Sequence, residues 1–141
     1  MLQQWRILAD FGLLVLIWLV QLIIYPSLEY TEEAQFKRWH YRYTGLITVI
    51  VLPLMLIQLA VYAGQIYLLG RWHDIANFAC LICVWALTFT HSVPCHDRLQ
   101  KDGKDIVVVK RLVKTNWYRT LLWTAIFIVD VIVFNLFAFK N

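Results

Sequence analysis

The chain has 141 residues, 61% of them hydrophobic and 16% charged, with a formal net charge of +4. A soluble globule carries closer to a quarter charged residues, and this length admits one domain rather than two. The apolar surplus sits in four runs, Ile7 to Ile24, Leu46 to Leu69, Ile75 to Val93 and Leu121 to Phe139. Each approaches or exceeds the roughly 20 residues a helix needs to cross a bilayer, and in lipid such a segment satisfies its own backbone as a helix. The expected fold is all-α: a polytopic membrane protein, a four-transmembrane-helix bundle with short interfacial helices. It forms a single domain over residues 1–141, with helices at about 5–26, 41–69, 73–93 and 115–139.

Only Arg6 precedes the first run and no small-x-small site follows it, so the run is expected to stay as helix one rather than be cleaved. Pro26 and Ser27 stop it. Thr31, Glu32 and Glu33 read as a new helix start. Phe36, Trp39, His40 and Tyr43 then share one face, with Lys37, Arg38, Tyr41 and Arg42 opposite, as in an interfacial turn feeding helix two. Pro53 is expected to kink helix two, and Gly70 to end it. Cys80 and Cys83 lie deep in helix three and read as two small buried residues rather than a redox pair. Pro94 ends or bends helix three. Ile106, Val109, Val113 and Trp117 recur at helical spacing with Lys110, Arg111 and Lys114 opposite, a basic amphipathic segment on the membrane surface leading into helix four.

Ten of the thirteen Lys and Arg residues fall in the first and third loops. The positive-inside rule therefore places loops 27–43 and 94–116 in the cytoplasm and both termini outside. This bias accounts for the net charge without a nucleic-acid partner, and suits contact with anionic lipid head groups. The expected partners are the bilayer, a lipophilic small molecule and, in a homo- or hetero-oligomer, another membrane chain.

Polar residues gather just inside the cytoplasmic ends of the helices. Helix one offers Gln21 and Tyr25, helix two His40 and Thr44, helix three Thr88, His91, Cys95, His96 and Asp97, and helix four Asn116, Arg119 and Thr120. Polar side chains turn away from lipid, so these stripes are expected to converge at one depth. Three of the four histidines belong to this layer, and imidazole is both the usual proton-transfer group near neutral pH and the commonest metal ligand. His40, His91 and His96, with Asp97 ligating or orienting, would suit zinc, copper or iron. Paired histidines from two helices would suit haem. The bland alternative is interfacial anchoring and helix–helix hydrogen bonding. His73, in the opposite loop, reads as ordinary. Asp10 and Asp130 form a thinner signal towards the outer side, with Gln58 and Asn135 as candidate neighbours. Asp10 is expected to reach water. Asp130 reads as a structural acid with no basic helical partner, and an apolar gap separates both from the cytoplasmic layer.

Pro94, His96 and Leu99, followed by Asn116, Trp117, Arg119 and Thr120, form a pattern that resembles the anthrone oxygenase-like family of small four-helix membrane proteins. The resemblance covers the second half of the chain, and the first half only by helix count. The family typically has asparagine in place of His96. Its characterised members are implicated in oxidising polyketide anthrones to quinones, apparently without an added cofactor. The resemblance thus implies a membrane oxygenase or oxidoreductase acting on an aromatic or quinone-like molecule. On the residues themselves, one of His40, His91 or His96 serves as general base. Arg119 and Asn116 stabilise the oxyanion, and Tyr25 donates a hydrogen bond or shapes the pocket. The rival expectation is an accessory subunit of a membrane complex, or a chain that binds a pigment, quinone or haem without turning it over.

Overall fold

Four long helices follow from the four apolar runs. The computed structural model describes residues 2–138. Its helices are α1 (Gln3–Ser27), α2 (Glu33–Leu69), α3 (Trp72–Asp102) and α4 (Ile106–Ala138). All four are long and apolar enough to cross a membrane, so the chain is a multi-pass helical bundle. Each helix packs on two neighbours, α1 on α2 and α4, and α3 on α2 and α4. Gly70 closes α2 in the left-handed region (φ 56°), its N–H returning to Ile66 O at 3.0 Å, and α3 starts two residues later. That turn, the start of α1 and the end of α4 lie at one end of the bundle, the terminus end.

The helices run further past the apolar runs than their hydropathy requires. The 37 residues of α2 make it about 55 Å long at about 1.5 Å per residue, against a hydrocarbon core of about 30 Å. The surplus lies at the end opposite the termini. The segments expected to lie along the surface, 33–43 and 106–117, instead continue α2 and α4 coaxially. Asp105 caps α4 by accepting from Val107 and Val108 N–H at 2.9 and 3.2 Å. Lys37 Nζ donates to Lys101 O at 2.6 Å and Lys104 Nζ to Thr31 O at 2.7 Å. These bonds tie the two loops together, so part of the basic charge there is structural. Gly103 permits this approach: its φ is 95°, and a Cβ there would meet Lys37 Cε at 3.2 Å.

Pro26 and Pro94 do not simply stop their helices. Each is preceded, two residues earlier, by the end of a widened turn: Val20–Ile24 in α1 and Thr88–Ser92 in α3. Tyr25 N–H bonds back five residues to Val20 O, and Val93 N–H to Thr88 O. Proline has no N–H for the carbonyl four residues back, and a wide turn redistributes the remaining bonds without breaking the helix. The turn also rotates everything beyond it. In α3 the inward stripe Asn77, Leu81, Val84 continues through Thr88 as Ser92, Cys95, His96 and Leu99. In a straight helix His91 would take the place of Ser92.

Candidate functional site

The two wide turns bring Tyr25 and His96 together between α1, α2 and α3. Tyr25 Oη lies 3.1 Å from His96 Nε2, His96 Nδ1 lies 3.0 Å from His40 Nε2, and His40 Nδ1 lies 3.1 Å from Gln100 Oε1. An amide oxygen only accepts, so His40 Nδ1 carries the hydrogen given to Gln100. His40 Nε2 then accepts from His96 Nδ1–H, and His96 Nε2 accepts from the Tyr25 hydroxyl. All three bonds run in one direction, from phenol to imidazole to imidazole to amide. Tyr25 and His40 are buried, and Phe36 stacks on the His40 ring at 5.5 Å and 13°.

Arg119 stands at the phenol end. It is 6% exposed and faces Tyr25. Its Nη1 donates to Ser92 Oγ at 2.9 Å and to Asn116 Oδ1 at 3.1 Å. Asn116 Nδ2 in turn donates to Gln21 Oε1 at 2.9 Å. Among the described residues no carboxylate pairs with Arg119, and its buried Nε has no hydrogen-bond acceptor. A buried cation matched only by neutral acceptors is expensive to maintain, and such groups mark functional sites in membranes. Beside the relay, Ile24, Trp39, Tyr43, Leu46 and Ile50 line a groove of about 410 Å³ on the outer face of the bundle. Tyr43 is the wall between them, its ring 6.4 Å from His40 and 6.3 Å from His96.

Of the residues singled out in the sequence, Tyr25, His40, His96, Asn116 and Arg119 do gather here. His91 and Asp97 do not. His91 Nδ1 meets Thr90 Oγ1 at 2.8 Å on the far side of α3, and Asp97 is exposed. The metal set His40, His91, His96 and Asp97 is therefore not assembled, and His40 and His96 spend their facing nitrogens on each other. Among the described residues no group of three or more His, Cys, Asp or Glu could hold a metal ion. Gln100, which fixes the tautomers, gave no sequence signal beyond lying four residues after His96. Cys83 is exposed on the outside of α3 and Cys80 half-buried, rather than both buried.

A second polar network fills the terminus end. Arg6 pairs with Asp74 at 2.5 Å and with Asp130 at 2.6 Å, and donates to Gln65. Asp10 accepts from Gln58 at 2.5 Å and from Tyr62 at 3.0 Å, and Asn77 donates to Asp130 at 2.7 Å. Arg71 and His73 approach Asp74 at 2.8 and 3.2 Å. Three sequence expectations are overturned here. Asp130 does have a basic partner, Arg6, which lies one helical turn before Asp10 and reaches across the bundle. Asp10 does not reach water, being 1% exposed. His73 is buried rather than an ordinary loop residue, and Asn135 is exposed. The gap between the two polar layers is narrower than the sequence suggests. Trp123 Nε1 donates to Gln58 Oε1 at 3.2 Å while its ring lies 5.2 Å below the Arg119 guanidinium. An indole bridges the layers but passes no proton.

Compared with known proteins, the chain matches no family model, no curated protein and no solved structure.

Proposed function

We propose that this chain is an integral membrane enzyme that deprotonates a lipophilic aromatic or quinone-like molecule for oxidation. The observation that carries this reading is the buried, acid-free Arg119 beside the Tyr25–His96–His40–Gln100 relay. Tyr25 is the group that meets substrate. Its proton can pass to His96 while His96 Nδ1–H leans on His40, and Arg119 stabilises the phenolate left behind. Tyr25 then takes a proton from a substrate phenol or activated carbon, and Arg119 with Asn116 holds the resulting oxyanion. Dissolved dioxygen, the oxidant implied by the family resemblance, adds to that anion; the peroxide takes back the proton from His96 and loses water, so one oxygen atom enters the quinone and the other leaves as water. The substrate enters sideways along the groove and reaches the buried Tyr25 when the Tyr43 ring swings aside. The uneven Lys and Arg distribution supports a cytoplasmic position for the relay, with both termini outside.

The test is turnover. Purified protein in detergent is given anthrone- and naphthol-type phenols in air, and quinone formation and oxygen uptake are followed. Stimulation that disappears in Tyr25→Phe and His96→Ala, with both variants folded, supports the reading. Tight binding with no product in the wild type favours the alternative, an accessory subunit or carrier that holds such a molecule without converting it.

A further inference from the structure

The outer furrow between α3 and α4 changes character along its length. In the bilayer interior it is a groove of about 600 Å³ lined by Cys83, Leu87, Tyr118, Leu121, Leu122 and Ala125. At the relay end it becomes a pocket of about 210 Å³ lined by Thr90, His91, Pro94, Cys95, Arg98, Val108 and Arg111. The two are stacked on the same helical stripes. Along α3 the stripe reads Cys83, Leu87, His91, Pro94, Arg98; along α4 it reads Ala125, Leu122, Tyr118, Arg111, Val108. The furrow thus has an apolar trough with a basic mouth, and the mouth lies where the helices leave the apolar runs.

Both guanidiniums are available for a ligand. Arg98 is 62% exposed and its contacts to Asp102 and Asp105 are long, 3.7 and 3.6 Å. Asp105 is already engaged in capping α4. Among the described residues no carboxylate pairs with Arg111. Both arginines line the pocket together with Cys95, which lies buried at its floor. His91 completes the rim, and its exclusion from the relay leaves it free to serve here. Two forked cations converging on one small pocket match a phosphate. An apolar trough directly below matches the acyl chains attached to it.

We propose that the α3–α4 furrow is a seat for one anionic glycerophospholipid. Its phosphate is held between Arg98 and Arg111, with His91 and Thr90 at the rim, and its acyl chains lie along Leu87, Tyr118 and Leu122. This site is distinct from the relay and does not depend on the enzymatic reading.

The experiment is native mass spectrometry of the purified protein after exchange into detergent doped with phosphatidylglycerol or phosphatidylcholine. One retained phosphatidylglycerol per chain is expected, and no retained phosphatidylcholine. At roughly fivefold per arginine near a membrane surface, Arg98→Ala/Arg111→Ala weakens retention about 25-fold. Leu87→Trp/Leu122→Trp, which fills the trough and leaves the charges, also displaces the lipid. Inorganic phosphate at equal concentration leaves retention unchanged, because the trough contributes to binding. Equal retention of the two lipids overturns the proposal, as does retention that survives the arginine pair. Displacement by inorganic phosphate alone overturns the lipid and leaves a simple anion site. Both arginines are exposed, and an unchanged thermal unfolding profile confirms that their replacement leaves the fold intact.

Discussion

At the terminus end Arg6 is fully buried and is met by two carboxylates, Asp74 and Asp130. At the relay end Arg119 is almost as deeply buried and is met by Tyr25, Ser92, Asn116 and the face of Trp123, and among the described residues by no carboxylate. The same side chain thus has two different environments within one bundle. A buried guanidinium with its acids in place is electrostatically complete, and it joins α1, α3 and α4. One without acids retains an unmet demand for negative charge. That demand can be met by a phenolate on Tyr25 or by an oxyanion on a bound molecule. The two ends therefore differ in whether the charges close among the protein's own groups.

Replacing Arg6 should produce the largest effect and should fall on stability. Arg6→Met leaves Asp130 buried without its cation and Asp74 with only Arg71 and His73, and breaking a buried pair from one side costs about 3–5 kcal/mol. Unfolding in detergent, followed by heat or denaturant, reads this directly. If Arg6→Met were as stable as the wild type, the contrast between the two ends would collapse. His96→Ala acts at the other end and on chemistry. Removal of a positioned base lowers turnover by at least about a hundredfold, equivalent to about 2.7 kcal/mol. Its unfolding midpoint should move far less than that of Arg6→Met, and a comparable drop in both would mean that the relay is merely structural.

Gln100→Leu sharpens the comparison further. It removes the acceptor that fixes the His40 tautomer and leaves both imidazoles. Loss of one neutral hydrogen bond is worth about 1 kcal/mol, so turnover should fall only several-fold and recover in Gln100→Asn if the shorter amide still reaches. Cys80→Ala/Cys83→Ala should be close to silent, within about 0.5 kcal/mol in stability and with unchanged activity under reducing or oxidising conditions. A redox-dependent rate lost in that double variant would restore the C-x-x-C as a working pair.

Hydropathy alone made four helices legible, because about 20 apolar residues in a row have few other fates. Convergence of Tyr25, His40, His96, Asn116 and Arg119 was legible for a related reason, since polar groups near a bilayer turn inward. The assignment of His91 to that layer shows where such reasoning fails. A straight helix aligns Thr88 with His91, but the wide turn over Thr88–Ser92 puts Ser92 on the buried face in its place and brings in His96 beside Cys95. Pro94 marked a disturbance without revealing that the helix would continue through it. Arg6 was missed for a different reason. A basic residue near the start of the first helix reads as a flanking charge, and nothing local to it announces Asp74 and Asp130, which lie 68 and 124 positions away. The tie between Gln58, Trp123 and Arg119 is likewise tertiary, and no spacing along one helix encodes it.

The most direct measurement is an optical titration of the purified protein with a naphthol-type phenol, held at a pH where the free phenol is neutral. Binding beside Arg119, which no carboxylate neutralises among the described residues, should draw off the phenol's proton, and the absorbance band of the phenolate should appear on saturation. Arg119→Gln, with an unchanged unfolding profile, should bind the phenol without that band. A bound phenol that stays neutral in the wild type, or a phenolate band that persists undiminished in Arg119→Gln, would contradict the assignment of the relay end as a proton-transfer site.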